Sequence, residues 1–264
     1  MIAALAKAGA VLDNPDYLSA AKKAADFIWE TLREDQGKLL KRYREGESGL
    51  PAHLDDYAFL VWGLIEIYEA DFDTGYLKKA LDLNQIMLDE FWDHQNEGLF
   101  FTAENQSDLI HRNKDIYDGA LPSGNSIAAN NLIRLGRLTS NPDFEEKTSQ
   151  IGNSFANQIN SVPQGYTQLL TAVLFASNPS VEVVISGNSD AEDTKEMIKQ
   201  LRRYYSPQQV ILLRPDQGDE WLFKLLPTLK LQTQVDGKAT AYVCQNFQCS
   251  APTTDPEVMI DLLK

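Results

Sequence analysis

Apolar residues recur along the first two thirds of the chain with the spacing of amphipathic helices. The pattern predicts helices over residues 1–12, 15–34, 54–70, 75–93, 125–138 and 142–159. Leu81, Ile86, Met87 and Phe91, for example, follow helical spacing within one of them. The six predicted helices form three pairs with short turns, and the pairs recur about every 60 residues. The runs GKLLKRY, from Gly37, and GLFFTA, from Gly98, are predicted to be extended, and the second is predicted to pair with DLIHR, from Asp108.

An internal repeat supports these pairs. The segments GAVLDNPDYLSAAKKAADFIWETL, from Gly9, and GRLTSNPDFEEKTSQIGNSFANQI, from Gly136, both place Asn-Pro-Asp and an aromatic residue after the same gap. Proline interrupts a helix but suits its first turn, so both turns end one helix and begin the next. Hairpins that repeat in this way stack side by side. A closed ring of them is an α/α toroid, and three would form about half of a six-hairpin ring.

The first predicted helix starts at Met1 without a capping Ser, Thr, Asp or Asn before it. We therefore expect the chain to be the C-terminal part of a longer protein, or the gene model to start late. An independent small helical array is the alternative. Half a toroid would expose a wide apolar inner face, which predicts self-association.

The last third of the chain changes pattern. The β-branched runs VEVVISG (181–187) and QVILLRP (209–215) flank an amphipathic helix, which predicts a β-α-β unit with parallel strands. A short helix, one or two strands and a terminal helix from about Asp255 follow. The predicted fold is mainly α, with half of an (α/α)6 toroid over 1–178 and a small α/β subdomain over 179–264.

Composition narrows the function classes. A formal charge of −14 and a pI of about 4.6 disfavour nucleic acid and anionic membrane surfaces as partners. No apolar run reaches the roughly 18–20 residues of a membrane span, and no signal peptide is visible. Cys244 and Cys249 are too few for a disulfide framework, and we expect buried free thiols; a redox pair is the alternative, although the spacing is not that of a CxxC motif. The prediction is a cytoplasmic protein without a metal or cofactor.

Two polar loops precede predicted helices at similar positions of the repeat: GLPAHLDDYAF, from Gly49, and RNKDIYDGALPSGNSIAA, from Arg112. Paired carboxylates are what glycoside chemistry uses, one as acid and the other as base or nucleophile. A histidine can move protons near neutral pH. The catalytic candidates are therefore Asp55, Asp56, Asp118 and His53.

Other side chains of this region suit a bound sugar. Aromatic rings offer faces for stacking, a guanidinium can hold an anionic group, and small polar groups at a helix start can bind hydroxyls. Trp62 offers a further ring for stacking, and Lys114 is a second cation that can hold an anionic group. The substrate-binding candidates are Tyr57, Trp92, Phe101, Arg112, Ser123, Asn125 and Ser126.

Structural roles remain open for the same residues. Asp55 and Asp56 can cap a helix and favour its dipole, and Asp118-Gly119 can be a turn. Ser123 or Asn125 can be a helix cap. One cap needs one residue, however, and this loop crowds Asp, Pro, Ser, Gly, Asn and Ser together.

Several segments resemble a known family. AHLDDYAFLVWGLIEIYEADFD, GLFFTA, DGALPSGNSIAANNLIRLGRL and AYVCQNFQCSAPTTDPE look like the C-terminal portion of large thioredoxin-domain-containing proteins, the bacterial YyaL-type proteins and their spermatogenesis-associated animal relative. The resemblance implies an N-terminal thioredoxin-like domain and an (α/α)6 toroid similar to N-acylglucosamine 2-epimerases and six-hairpin glycosidases. It also implies that this chain lacks that domain and half of the toroid, and that HLDDYA and DGALPSGNS line the central cavity.

Two functions fit these observations. The first is a carbohydrate-binding or carbohydrate-modifying segment, epimerase-like or glycosidase-like, inactive without the rest of the protein, with a small carbohydrate as its partner. Epimerases of the related fold use histidines as acid and base, and here His53 alone is suitably placed. The second is a non-catalytic module that presents a substrate or protein partner to the thioredoxin-like domain.

Overall fold

The computed structural model describes residues 1–104, 111–179, 181–204, 206–216, 219–245 and 248–264. They are mainly helical with small sheets, which confirms a mainly α fold with a small α/β part. The chain divides into two units. The first comprises Met1–Ile133 and Pro142–Leu174, and the second comprises Arg134–Asn141 and Phe175–Lys264.

The first unit is built from helices in sequential pairs. They are α1 (Ile2–Leu12), α2 (Pro15–Thr31), α3 (Leu54–Asp71), α4 (Thr74–Phe91), α5 (Gly124–Thr139), α6 (Pro142–Ser154), α7 (Ala156–Ser161) and α8 (Thr167–Ser177). The last residues of α5 and α8 belong to the second unit. Within the first unit, α1 packs on both α2 and α3, and α3 packs on α4. Neighbouring hairpins therefore bury faces against each other there, as the repeat predicts.

The turns between paired helices share one geometry. The residue before each cap has a positive φ: Asp13 (53°), Phe72 (62°) and Ser140 (51°). The internal repeat has a direct counterpart, because the N–H of Asn14 donates to the Gly9 carbonyl and the N–H of Asn141 donates to the Gly136 carbonyl, both at 2.9 Å. A Cβ at Gly9 would lie 2.9 Å from the Leu18 nitrogen, so the glycine permits close packing of α1 on α2.

The predicted helix over 142–159 is interrupted. α6 ends at Ser154, and Phe155 has φ −110° and ψ 10° before α7 begins. A Cβ at Gly98 would lie 3.1 Å from the buried Phe155 ring. The tertiary contact of this ring with Gly98 accompanies the break in the helix, a contact that periodicity alone does not reveal.

One hairpin of strands precedes α3. Strand β1 (Leu40–Arg44) pairs antiparallel with β2 (Glu47–Pro51) through a turn in which Glu45 and Gly46 have φ 56° and 89°. The extended run from Gly37 was predicted, whereas β2 was not. In the similar run from Gly98, the described residues form one isolated bridge, between Leu99 and Trp92. Its predicted pairing with 108–112 falls largely on 105–110, which lie outside the described residues.

The core of the first unit is apolar and fully enclosed. Its largest fully buried side chains are Leu54, Leu64, Ile65, Ile67, Tyr68, Leu77, Leu83, Met87, Phe91, Leu99, Ile127 and Leu132. Most of them lie on α3 and α4. These two helices form the rigid base on which the loops described below are held.

The second unit contains a four-stranded sheet in the order β4-β3-β5-β6. Its elements are β3 (Val181–Ser186), α9 (Glu192–Arg203), β4 (Gln209–Arg214), α10 (Glu220–Leu225), β5 (Thr240–Gln245), β6 (Gln248–Cys249) and α11 (Pro256–Asp261). β3 and β4 are parallel with α9 between them in sequence, as predicted, and β5 runs antiparallel to β3.

The expectation of free thiols is wrong. Cys244 on β5 and Cys249 on β6 are opposite each other in the ladder and form a disulfide. The number and spacing of the two cysteines along the chain do not indicate a disulfide. The pairing of β5 with β6 brings their side chains together. Among the described helices, none has both the length and the apolar character that crossing a bilayer requires.

Candidate functional site

The entrances of α3 and α5 meet in the first unit. A Cβ placed on Gly124, the first residue of α5, would lie 2.4 Å from Asp55 Oδ1 and 2.7 Å from Leu54 Cγ. No side chain fits at this distance, so glycine allows the first turn of α5 to touch the first turn of α3. The N–H of Gly124 donates a hydrogen bond to the Asp55 carboxylate.

Asp55 has the electrostatics of a candidate acid. Burial raises the pKa of its carboxyl above the ordinary value of 3.8, and the nearby carboxylates of Asp56 and Asp115 raise it further. The Gly124 N–H and the Lys41 ammonium oppose this shift without cancelling it. A carboxyl with a raised pKa retains its proton at a higher pH, which is what a general acid needs.

His53 stands directly before α3, beside this carboxyl in sequence. Its backbone N–H donates to Asp56 Oδ2 at 2.8 Å, so Asp56 closes the start of the helix. Its ring Nδ1 lies 2.9 Å from Lys41 Nζ, and its ring packs on Phe101 with 4.6 Å between centroids. Burial and the Lys41 charge lower the pKa of His53, with Asp56 opposing, so the imidazole is neutral near neutral pH and accepts from Lys41.

Asp118 lies in the loop before α5 and holds backbone amides with both oxygens. Its Oδ1 accepts from the Ser123 N–H at 3.1 Å. Its Oδ2 accepts from the N–H groups of Gln168 and Leu169 at 2.8 and 3.2 Å, in the first turn of α8. The carboxylate therefore ties the loop before α5 to the start of α8, which is the work of a helix cap.

Asn125 is fully buried and joins three segments. Its Oδ1 accepts from the Leu99 N–H, and its Nδ2 donates to the Leu99 carbonyl, both at 2.8 Å. The same Nδ2 donates to the Asp115 carbonyl at 2.9 Å. The side chain thus pairs with the backbone of Leu99 as a neighbouring strand would.

Ser123 and Ser126 are also buried and bonded to each other. Their hydroxyl oxygens are 2.9 Å apart, and the Ser126 N–H donates to Ser123 Oγ at 3.1 Å. Ser123 therefore caps α5. Together with Asp118 and Asn125, these contacts account for most of the small polar residues crowded into this loop.

The two cations predicted for an anionic group make contacts within the protein. Arg112 donates to the carbonyls of Thr102 and Glu90, and its guanidinium lies 4.1 Å from the Phe100 ring centroid. Lys114 forms a 2.7 Å ion pair with the buried Asp93 and also donates to the Glu97 carbonyl. Both cations hold the segment between α4 and α5 in place.

Two of the predicted stacking rings are inside the unit. Tyr57 is 3% exposed, and its hydroxyl accepts from the Leu39 N–H at 2.8 Å. Trp92 is 8% exposed, with Lys147 Nζ 4.0 Å from its ring centroid. Phe101 is partly exposed beside His53.

A different pair of rings accompanies Asp55. Phe59 and Trp62 are partly exposed, and their ring centroids are 6.2 Å apart. Trp62 Nε1 donates to Glu66 Oε1 at 3.2 Å. Asp55, Phe59, Trp62 and Glu66 follow one another at spacings of four, three and four residues, so they lie on one face of α3. We call these four residues the α3 stripe.

Sequence reasoning selected Asp55 and Trp62 of this stripe and missed Phe59 and Glu66. The signal was present in the helical spacing of two acids and two aromatics, but buried positions of α3 are also aromatic. Across the described residues, no group of three His, Cys, Asp or Glu side chains is arranged to hold a metal ion.

The first unit is thus a set of helical hairpins whose entrances to α3 and α5 carry the candidate chemistry. No protein-family profile matches the chain. It is similar to spermatogenesis-associated protein 20 of Homo sapiens, with 33% identity over 266 residues, 97% of this chain and 34% of that protein. The protein of the same name from Mus musculus is 31% identical over 266 residues, again 97% and 34%.

A protein of Caenorhabditis elegans named as uncharacterised is 29% identical over 260 residues, 95% of this chain and 35% of that protein. The chain therefore spans about a third of the length of the curated relatives it matches. These relatives support assignment of the chain to the family of spermatogenesis-associated protein 20, as the resemblance indicated.

Proposed function

We propose that the first unit binds a carbohydrate along the α3 stripe and supplies proton transfer of the epimerase or glycosidase kind. The proposal rests on the surroundings of Asp55. Its carboxyl has a raised pKa, it accepts from the start of α5, and it shares a helix face with the partly exposed rings of Phe59 and Trp62. Sugar rings stack on such aromatic faces, which would bring a hydroxyl or glycosidic oxygen to the carboxyl.

In this proposal Asp55 donates a proton and His53 accepts one. The protonated carboxyl of Asp55 would transfer its proton to a leaving oxygen or to a sugar carbon. The neutral imidazole of His53 would take a proton from water or from the substrate at Nδ1, once Lys41, which donates to that nitrogen, has turned away. Asp118 has a positioning role here, because its oxygens hold three backbone N–H groups.

The charges around Asp55 favour an uncharged sugar. Asp56 and Asp115 place further negative charge near it, and Lys41 is the cation that opposes them. Arg112 and Lys114 already bind carbonyl oxygens and Asp93. A sugar acid or sugar phosphate would add negative charge to a site that already carries an excess of it.

The wider context is part of the same proposal. The three hairpins would form half of an (α/α)6 toroid, and the complete protein would carry a thioredoxin-like domain. Because the chain spans about a third of its relatives, we expect turnover to need the complete protein and binding to be measurable first. Self-association is also proposed, since Val11 and Leu12 of α1 are 57% and 66% exposed.

A thermal-shift screen tests the proposal. The chain is heated with neutral sugars, sugar acids and sugar phosphates, together with the Asp55→Asn and Trp62→Ala variants. Glu30→Gln, which neutralises an exposed carboxylate of α2, is the matched control. We expect a neutral sugar to stabilise the unmodified chain and the control but neither site variant. No shift with any sugar would remove the carbohydrate proposal.

The complete protein gives a second readout. Incubation with the stabilising sugar in deuterated water, followed by NMR, detects exchange of a carbon-bound proton, which epimerisation requires. Release of new reducing ends would instead indicate hydrolysis. Either activity should disappear with Asp55→Asn.

A non-catalytic module is the second candidate. It is supported by the polar residues of the loop before α5, which bond within the protein, and by Tyr117 and Leu121 in that loop, which are 62% and 74% exposed. Exposed apolar side chains beside a rigid loop suit a protein partner serving the thioredoxin-like domain. Under this candidate, Leu121→Asp would weaken partner binding and leave every sugar response absent.

A cytoplasmic location remains part of the proposal. Thiols in the cytosol are generally kept reduced, and disulfides are rare there. The Cys244–Cys249 disulfide therefore counts against a cytoplasmic location unless it resists reduction or forms reversibly. Fractionation of cells followed by thiol labelling would test the location and the oxidation state together.

A further inference from the structure

The disulfide of the second unit joins two strands with different surroundings. Cys244 lies on β5, which pairs with β3 on one side and with β6 on the other. Cys249 lies on β6, a two-residue strand at the edge of the sheet. Cys244 is buried at 7% exposure, whereas Cys249 is exposed. One sulfur therefore belongs to an interior strand and the other to an accessible edge.

We propose that Cys244–Cys249 is a reversible thiol–disulfide site, which a dithiol reductant opens at Cys249, the exposed residue of the pair. A thiolate of the dithiol attacks Cys249 Sγ, the bond between the two sulfurs breaks, and Cys244 leaves as a thiolate that takes up a proton. The second thiol of the reductant then attacks the mixed disulfide and releases Cys249. Two electrons and two protons pass to the cysteine pair, and the dithiol leaves as a disulfide.

The burial of Cys244 determines which of the two cysteines the reductant attacks. An attacking thiol reaches an exposed sulfur more readily than one held in the sheet. After reduction, Cys244 remains enclosed in the sheet, whereas Cys249 is open to solvent and to further reaction. The two cysteines should therefore differ strongly in reactivity, although they are opposite each other with Cα atoms 3.9 Å apart.

The structure confines the effect of opening to the sheet edge. Beyond β6 the chain stays attached, because the Ser250 N–H donates to the Val243 carbonyl at 2.9 Å and Thr253 exchanges two backbone bonds with Ala241. α11 follows, with Met259 fully buried. Reduction should therefore free the short β6 edge for another strand or partner while the terminal helix remains in place.

The test uses the full chain, kept oxidised and then exposed to dithiothreitol without denaturant. Thiols are trapped with N-ethylmaleimide at successive times and located by tandem mass spectrometry. We expect reduction under native conditions, in which the trapped adduct of the reductant is found on Cys249 and not on Cys244. Hydrogen exchange should accelerate at the Gln245 amide, which pairs with Gln248, but not at the Met259 amide.

The Cys244→Ala/Cys249→Ala double variant is the control. Reduction should lower the unfolding temperature of the second unit by about 5 °C in the unmodified chain and leave the double variant unchanged. Three results would overturn the proposal: reduction that needs unfolding of the unit, a reductant adduct on Cys244, or free thiols throughout in the oxidised protein.

Discussion

The loop before α3 and the loop before α5 each place an aspartate beside the start of a helix, at similar positions of the sequence repeat. In the loop before α5, Asp118 accepts from three backbone N–H groups, and the neighbouring Asn125 makes three further bonds to the backbone. In the first turn of α3, Asp55 accepts from one N–H, and burial together with two nearby carboxylates raises its pKa.

Asp55 and Asp118 share a residue type and a similar position in the repeat, yet their surroundings differ. These two properties therefore do not determine the role of a carboxylate. Three amide donors fix the Asp118 carboxylate as part of the scaffold. Asp55 accepts from one amide and lies near two other carboxylates, and burial together with these charges raises its pKa. The number of donors that the fold directs at each carboxylate separates a structural group from a candidate acid.

The largest loss of stability should follow a substitution in the first turn of α5. Asn125→Ala removes three buried hydrogen bonds and leaves the N–H and carbonyl of Leu99 unpaired, so we expect a loss of about 3 kcal/mol in the free energy of unfolding. Urea denaturation measures it. Asn153→Ala, at an exposed position of α6, is the control and should change little. Equal stability of the two variants would remove the scaffold role.

The joint between the loops should give the next effect. Gly124→Ala places a methyl group 2.4 Å from Asp55 Oδ1 and 2.7 Å from Leu54 Cγ, so these side chains or the first turns of α3 and α5 must shift, at a cost of about 2 kcal/mol. Gly49→Ala is a matched control, because a Cβ there meets nothing within 4 Å. Denaturation midpoints of the two variants should differ clearly, and coincident midpoints would mean that the entrances of the two helices are not in contact.

Asp118→Ala should cost about 1 kcal/mol, the usual value of a lost helix cap. The loss should appear as faster hydrogen exchange at the start of α8. Asp89→Ala, at an exposed position of α4, serves for comparison. Unchanged exchange in α8 would show that Asp118 is available for another role.

Asp55→Asn, unlike the preceding variants, should gain stability relative to the unmodified chain as the pH rises. The folded state holds the Asp55 proton more tightly than the unfolded state. The resulting stability is therefore full below the ordinary pKa of 3.8 and is lost as the pH rises through the raised pKa. The variant has no such loss, so its stability relative to the unmodified chain should increase with pH over this range. Urea midpoints at several pH values measure it, and Glu30→Gln should show no such rise.

The smallest effect concerns His53. Lys41→Met removes a positive charge 2.9 Å from Nδ1, so the pKa of His53 should rise. NMR titration of the ring protons follows it directly. Arg44→Met, on the same hairpin but paired with Glu45, should leave the His53 titration unchanged. A shift of the same size in both variants would point to long-range charge rather than to this contact.

Several predictions from the sequence depend on local rules and are confirmed. Asn14-Pro15 and Asn141-Pro142 both mark helix turns, because proline acts on its own backbone and on the preceding residue. The parallel pairing of β3 and β4 follows from a β-branched run on each side of an amphipathic helix. Tyr57, by contrast, was predicted to face a substrate, and it lies in the core with its hydroxyl accepting from the backbone.

The sequence by itself determined the helices, their turns and the mainly α class, because periodicity, proline and capping side chains act over a few residues. The tertiary structure alone decided the contact of Gly124 with Asp55, the three donors on Asp118, the break at Phe155 and the Cys244–Cys249 disulfide. Each of these brings together atoms that are distant along the chain or on opposing strands. Burial and hydrogen-bond partners, which set the pKa of a carboxyl and the state of a thiol, exist once those atoms meet.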